Sequence, residues 1–303
     1  MSIPAHNSTT TAHQPCELCG STACQFLFNT VDRLGIATEP FRIVQCLTCG
    51  VWRTLPEMTA AELAAFYPND YWGGEPTAAW LRASQADKTG FINQCGLTGG
   101  RILDVGCGSG FFLRALNQQT WQAYGVEISA AAAQAAQQVF GNDHIFTGQL
   151  LDAKFQEAFF DVVTFWSALE HTNEPRANLL EARRILPTGG TVIIQVPNAA
   201  SYQARYFKGD WFALDAPRHR YHFTLSSLQN ILRDTGFALT HSTFHSSVHN
   251  AHALRQSLKA RLWHHSKAKR AAFLLAIPFL KPFDYLLSAW QRGATLTLAA
   301  KAV

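Results

Sequence analysis

From Arg101 onward, short apolar runs alternate with longer amphipathic stretches. "RILDVG", "QAYGVEIS", "HIFTGQ", "FDVVTFWSAL", "TVIIQVPN" and "FALTHSTFH" are the apolar runs. Their length and β-branched content predict strands. Between them, "FFLRALNQQ", "AAAAQAAQQVF", "PRANLLEARRIL" and "TLSSLQNILRDTG" predict helices; the third sets Leu179, Leu180 and Ile185 near one face. Strands buried on both faces and joined by helices predict a doubly wound α/β fold with a parallel sheet. A last run, "ATLTLAAKA", predicts one more strand at the C-terminal end.

Before Arg101 the pattern changes. Residues 1–13 are polar, lack an apolar signal-like core and are expected to form a disordered leader in a cytoplasmic protein. Residues 14–57 hold two cysteine pairs and little helical pattern. Residues 58–100 read as a helical connection or cap that opens with Thr59 as N-cap and Glu62 three residues on. Residues 101–254 carry the strand–helix alternation, 255–290 a basic and then apolar helical insertion, and 291–303 the final strand.

The net charge of +4 is unevenly placed. From Arg255 to the end there are nine Lys/Arg and one acid, Asp284, which leaves 16 basic against 20 acidic residues in the rest. An acidic body argues against an extended nucleic-acid surface. The basic "RQSLKARLWHHSKAKR" and apolar "AAFLLAIPFLKPFDYLLSAW" are broken by Pro278 and Pro282 and do not read as a spanning helix. They suit packing over a substrate or another subunit, or peripheral contact with the inner face of a membrane.

"CELCG" (16–20) and "CLTCG" (46–50) place Cys16, Cys19, Cys46 and Cys49 in two C-x-x-C-G turns with 26 residues between the pairs. Four thiolates on two tight turns predict a closed, structural zinc site, hence a small N-terminal zinc ribbon. Cys24 is a spare beside it.

The turn after the first strand of the alternating region reads Gly106-Cys107-Gly108-Ser109-Gly110-Phe111. A dinucleotide fingerprint would place its third glycine where Phe111 stands. Asp104 beside this turn suits a cationic, phosphate-free ligand better than a pyrophosphate, which disfavours an NAD-dependent oxidoreductase. Glu127, at the end of the next strand, suits the two hydroxyls of a ribose. "PRHRYHF" (217–223) gathers Arg218, His219, Arg220, Tyr221 and His222 in one loop, and His171 follows the fourth strand of the sheet. Histidines at such an edge serve as general bases or brace the backbone; the arginines suit an anionic group on a substrate. Trp72, Trp166 and Trp211 shield a site or fill the core.

These segments together resemble class I S-adenosylmethionine-dependent methyltransferases, in particular the domain of ubiquinone-biosynthesis O-methylating enzymes. The motifs that carry the resemblance are "LDVGCGSG", "FDVVTFWSALEH", "EARRILPTGGTVIIQVPN" and "DAPRHRYHFTLSSLQNILRDTGF". The resemblance implies a Rossmann-like seven-stranded sheet. It implies that Gly106, Gly108 and Gly110 line the methionine end of S-adenosylmethionine, with Asp104 near its ammonium and Glu127 on the ribose. Gln149 and Leu150 fall where the family reads adenine, and Thr164 to Trp166 fall beside the methyl. His171, His219 and His222 are the candidate catalytic residues. The implied acceptor is a small molecule, a sugar or a lipid-linked precursor methylated at oxygen. An RNA methyltransferase using the ribbon, a sugar C-methyltransferase and a non-catalytic zinc and nucleotide module are the alternatives. "TFWSALEH" stands where base-amino methyltransferases carry an (N/D)-P-P-(Y/F) tetrapeptide.

Overall fold

The computed structural model describes residues 15–67, 78–261 and 281–303. Two sheets share one body. The first three strands are β1 (Cys24–Thr30), β2 (Phe41–Cys46) and β3 (Trp52–Leu55), an antiparallel ribbon. A short helix α1 (Ala60–Ala64) follows, capped as its sequence predicts: the Thr59 side chain accepts from Glu62 N, and Glu62 reciprocates to the Thr59 amide. Helix α2 (Ala78–Gln94) then leads into the larger sheet.

The alternating region forms β4 (Gly100–Val105), α3 (Phe111–Ala115), β5 (Trp121–Glu127), α4 (Ala130–Phe140), β6 (Ile145–Thr147), β7 (Val162–Trp166), α5 (Pro175–Ile185) and β8 (Thr191–Pro197). After α6 (Tyr202–Phe207) come β9 (Tyr221–His222), α7 (Leu225–Asp234), β10 (Phe237–Thr243), α8 (His249–Arg261), α9 (Lys281–Ala289) and β11 (Thr295–Ala302). The large sheet has the order β10-β11-β8-β7-β4-β5-β6. Six strands run in one direction; β11 alone is reversed and inserts antiparallel between β8 and β10. The expected seven-stranded Rossmann-like sheet is therefore present, closed by the C-terminal strand.

Burial follows position in the sheet. Every residue of central β7 is buried, whereas β10 at the edge exposes four of its seven residues. Helix α4 starts at Ser129, whose hydroxyl accepts from Ala132 N, and sets Ala133 and Ala136 against the sheet. Helix α3 is shorter than the pattern predicts. It ends at Ala115, and Asn117 then folds its carboxamide back onto Gln119 N at 3.0 Å, a local turn that competes with the helix. Helices α2, α6 and the start of α8 lie where the pattern gave a connection or a loop. Residues 1–14, Trp72 and most of the expected 255–290 insertion (262–280) lie outside the described residues. Among the described residues no helix is long and apolar enough to cross a membrane.

The ribbon is not a separate module at residue 57. Its fourth strand is β9, which comes from the "PRHRYHF" segment and pairs Arg53 with Tyr221 and Trp52 with His222. Cys16, Leu18, Cys46 and Val51 belong to the same apolar core as Leu169, Val196, Phe223 and Leu228. The tightest tie is Arg218, fully buried, with Nη2 2.7 Å from Asp32 Oδ1 and 2.8 Å from Asp215 Oδ1. Its Nη1 donates to the Phe66 carbonyl at 3.2 Å. Asp32 in turn accepts from the amides of Leu34 and Ile36 at 3.1 and 2.8 Å.

Truncating Arg218 removes the cation from buried Asp32 and leaves Asp215 with Arg33. Arg218→Ala should lower stability by about 3–5 kcal/mol in urea denaturation; a loss under about 1 kcal/mol would show that this knot is not structural.

Candidate active site and cysteine cluster

The glycine turn joins β4 to α3 at the carboxyl edge of the sheet. Gly106, Gly108 and Gly110 have φ of 75°, 54° and 77°, a region that disfavours side chains. A Cβ on Gly106 would meet Ala168 Cβ at 3.0 Å and one on Gly110 would meet Phe140 at 3.0 Å, while beside Gly108 there is open space. The glycines thus serve two ends: two fit the turn to the fold, and the third leaves room for a ligand.

Two acids flank this space. Glu127, 9% exposed, accepts from Gly108 N with one oxygen and from Ser129 N with the other, each at 2.8 Å. Its carboxylate is aimed, with lone pairs left for two hydroxyls. Asp104, 3% exposed, accepts from Thr164 Oγ1 at 2.8 Å. Burial raises its carboxyl to about 7, against the opposing pull of the Lys88 ammonium. Lys88 comes from α2 and lies 5.7 Å from the Phe112 ring and 5.5 Å from the Trp166 ring. Trp166, 6% exposed, ends β7, and its indole N–H has no partner. Gln149 is exposed after β6; the Leu150 side chain lies in the core, 1% exposed.

The structure gathers His171 and His219 with ring centroids 4.5 Å apart. His171 Nδ1 faces the Arg218 carbonyl at 3.1 Å and the Tyr67 hydroxyl at 3.0 Å. A carbonyl only accepts, so Nδ1 carries the hydrogen and Nε2 keeps its lone pair. His219 repeats the device, with Nδ1 2.8 Å from the Ala213 carbonyl. Burial holds both rings neutral, His171 at about 3 and His219 at about 4. Next to them Glu170, 1% exposed, has both carboxyl oxygens unpartnered, and burial raises it to about 8. One ligand atom from each of Glu170, His171 and His219 lies within 4.8 Å of the others, close enough to share a proton or a cation.

His222 sits apart, 1% exposed. Thr54 donates to the His219 carbonyl at 2.7 Å, so the His222 Nε2 at 3.0 Å must donate to the Thr54 oxygen. Arg220 bonds the Met58 carbonyl and Asn173 Oδ1. The expectation that Arg218 holds an anionic group on a substrate is overturned, because its guanidinium is fully engaged by Asp32, Asp215 and the Phe66 carbonyl; Arg220 turns its Nη1 to the protein's own Met58 and Asn173. Trp211, 2% exposed, packs with Ile43 and Phe207 as core.

The four cysteines of the two C-x-x-C turns converge, with Sγ atoms all within 4.8 Å of one another. Cys16 and Cys49 lie 3.7 Å apart and Cys19 and Cys46 3.5 Å apart, none of them in a disulfide. Ligands about 2.3 Å from a tetrahedral ion stand at such separations, so the set fits one metal ion with no open position.

The profile of a family described as a methyltransferase domain matches residues 79–242, more than half of the chain. The chain belongs to this methyltransferase family. Its sheet order and glycine turn are those of the class I, S-adenosylmethionine-dependent enzymes. It is 30% identical over 125 residues to a ubiquinone biosynthesis O-methyltransferase of Azoarcus sp. (strain BH72), covering 40% of this chain and 51% of that protein. To the protein of the same name from Maricaulis maris it is 28% identical over 173 residues, covering 53% and 67%. The chain spans about half the length of the first of these curated relatives. A solved structure from Galdieria sulphuraria, named as a candidate sarcosine dimethylglycine methyltransferase, matches with a TM-score of 0.50. It is 14% identical, covers 76% of this chain and 94% of its own, and shares the fold.

Three neighbours of these groups carry no sequence signal of their own. Lys88, over the Trp166 ring, and Tyr67, on His171 Nδ1, come from segments without a legible motif, and Ile128, directly after Glu127, is 67% exposed.

A carboxyl held above its ordinary value weakens the fold as it ionises, so Asp104 costs stability progressively between pH 3.8 and about 7 and its full amount above. Asp104→Asn should therefore raise the midpoint of thermal unfolding at pH 8 and leave it unchanged at pH 3, and it should weaken S-adenosylhomocysteine binding by ~10-fold or more in calorimetry. Unaltered affinity would take Asp104 out of the donor site.

Proposed function

We propose that the protein transfers the methyl group of S-adenosylmethionine to a hydroxyl oxygen of a small-molecule acceptor. The observation that supports this reading is the glycine turn: open space beside Gly108, Glu127 aimed by two main-chain amides, and Asp104 buried at the end of β4. Two acids repel phosphates and suit a cationic, phosphate-free donor. The names of the relatives from Azoarcus and Maricaulis support an oxygen acceptor.

In this reading Glu127 takes the ribose hydroxyls, Ile128 lies against adenine beside Gln149 and Leu150, Asp104 receives the ammonium and Lys88 the carboxylate of the donor. The sulfonium supplies an already activated methyl. The protein's part is to align the acceptor oxygen, exclude water and take a proton. His171 Nε2 takes the hydroxyl proton while the oxygen–carbon bond forms and the sulfur keeps the electron pair of the bond that breaks. Tyr67 and the Arg218 carbonyl hold the ring in the required tautomer. His219 backs His171, and His222 braces the loop. Cys16, Cys19, Cys46 and Cys49 would hold a structural zinc that fixes the ribbon turns. A cytoplasmic location, a sugar or lipid-linked acceptor and membrane contact through residues 255–290 belong to this proposal as well.

Incubation with isotopically labelled donor and identification of the labelled product tests the activity. His171→Ala should lower kcat by ~100-fold or more and leave donor affinity in place; equal turnover would remove His171 from the chemistry. Freshly purified protein should contain ~1 zinc per chain, lost in a Cys46→Ser, Cys49→Ser variant. Metal-free protein with an intact ribbon would discard the zinc assignment.

A further inference from the structure

A second group of unsatisfied polar atoms lies on β7 and β8, at Trp166 and Gln195. Trp166 and Gln195 are partners in register on the adjacent parallel strands β7 and β8, so their side chains leave the same face of the sheet. Trp166 is 6% and Gln195 3% exposed. The indole N–H of the first and the amide oxygen of the second have no hydrogen-bond partner. The amide of Gln195 is fixed at its other end, where Nε2 donates to Thr297 Oγ1 on β11 at 2.9 Å. A buried donor and a buried acceptor left open at registered positions of neighbouring strands cost the fold stability, and they persist where a ligand satisfies them.

The surroundings close this spot from solvent. Asp87 on α2 accepts from Ser246 Oγ at 3.1 Å, Ser247 N at 2.8 Å and Ser247 Oγ at 3.0 Å, clasping α2 to the start of α8. One residue on, Lys88 reaches over the Trp166 ring. On the same two elements Trp80 meets His249 edge to face at 5.4 Å.

We infer that a hydroxyl group of the methyl acceptor is anchored here, accepting from the Trp166 indole N–H and donating to the Gln195 amide oxygen. One hydroxyl meets both demands, because it is donor and acceptor at once. A ketone satisfies only the indole, and a hydrocarbon neither. This assignment rests on the methyl-transfer reading and places one acceptor hydroxyl at the registered pair on β7 and β8.

Phenol and toluene are the probes: similar in shape, with and without the hydroxyl. The full chain, labelled with nitrogen-15 and loaded with S-adenosylhomocysteine, is titrated with each, and the Trp166 indole signal is identified by its absence in Trp166→Phe. Phenol should shift that signal and bind ~10-fold more tightly than toluene. Gln195→Met, near in volume, should bring the two probes to the same affinity while by-product affinity stays within ~2-fold. Equal binding of phenol and toluene to the unaltered chain, or an indole signal that neither probe moves, overturns the assignment, and this comparison needs no variant to fold. Failure of S-adenosylhomocysteine to bind would count against the donor reading instead, and the hydroxyl preference is then read from the donor-free chain.

Discussion

A guanidinium with no access to water organises this molecule. Arg218 is fully buried and finds its counter-charges at Asp32 in the ribbon region and Asp215 at the base of the histidine loop. An unpaired buried cation is prohibitively unfavourable, so the loop and the N-terminal segment fold together or not at all. Asp215 also binds Arg33. Although it is buried, its charged neighbours hold its carboxyl far below the usual range, so Asp215 stays ionised. The backbone follows the charges: Thr54 N donates to the Arg220 carbonyl at 2.9 Å, and Arg220 N to the Glu170 carbonyl at 2.9 Å.

The proposed site is therefore assembled from two parts with different origins. Its proposed donor side belongs to the large sheet, where β4 and β5 deliver Asp104, the glycine turn and Glu127 to one edge. Its proposed proton-handling side belongs to the join between ribbon and sheet, where β3, β9 and the segment after β7 bring His171 and His219 into edge-to-face contact. The second cysteine turn ends at Cys49, three residues before β3, the strand on which the loop is paired. The N-terminal turns share a core with Leu169 and Phe223, which in the proposed reading makes this region a wall of the site.

What the sequence shows depends on how far apart the interacting residues are. Strands β4, β7 and β8 are legible because burial on both faces forces continuous apolar runs. The Ala-rich α4 is bracketed by Ser129 and Gly141, and the cysteine turns announce themselves by repeated spacing. Helix α2 stays hidden because only Ser84, Phe91 and Ile92 are buried along its length, too few to write a clear stripe. The arginines of the loop read as substrate ligands because their true partners, such as Asp32 for Arg218, are 186 residues away. Lys88 and the pair Trp166–Gln195 are invisible for the same reason: their meaning comes from strand register and helix docking, which no local pattern encodes.

The division of the site into a sheet-borne donor half and a ribbon-borne loop has one direct test. Calorimetry with S-adenosylhomocysteine, before and after a chelator strips the metal, is combined with hydrogen exchange on residues 215–223. The account predicts donor affinity within ~2-fold of the untreated value and much faster exchange in the loop, because β9 loses its paired strand while the large sheet stays intact. A parallel collapse of donor affinity, or a loop that remains as protected as before, would contradict it.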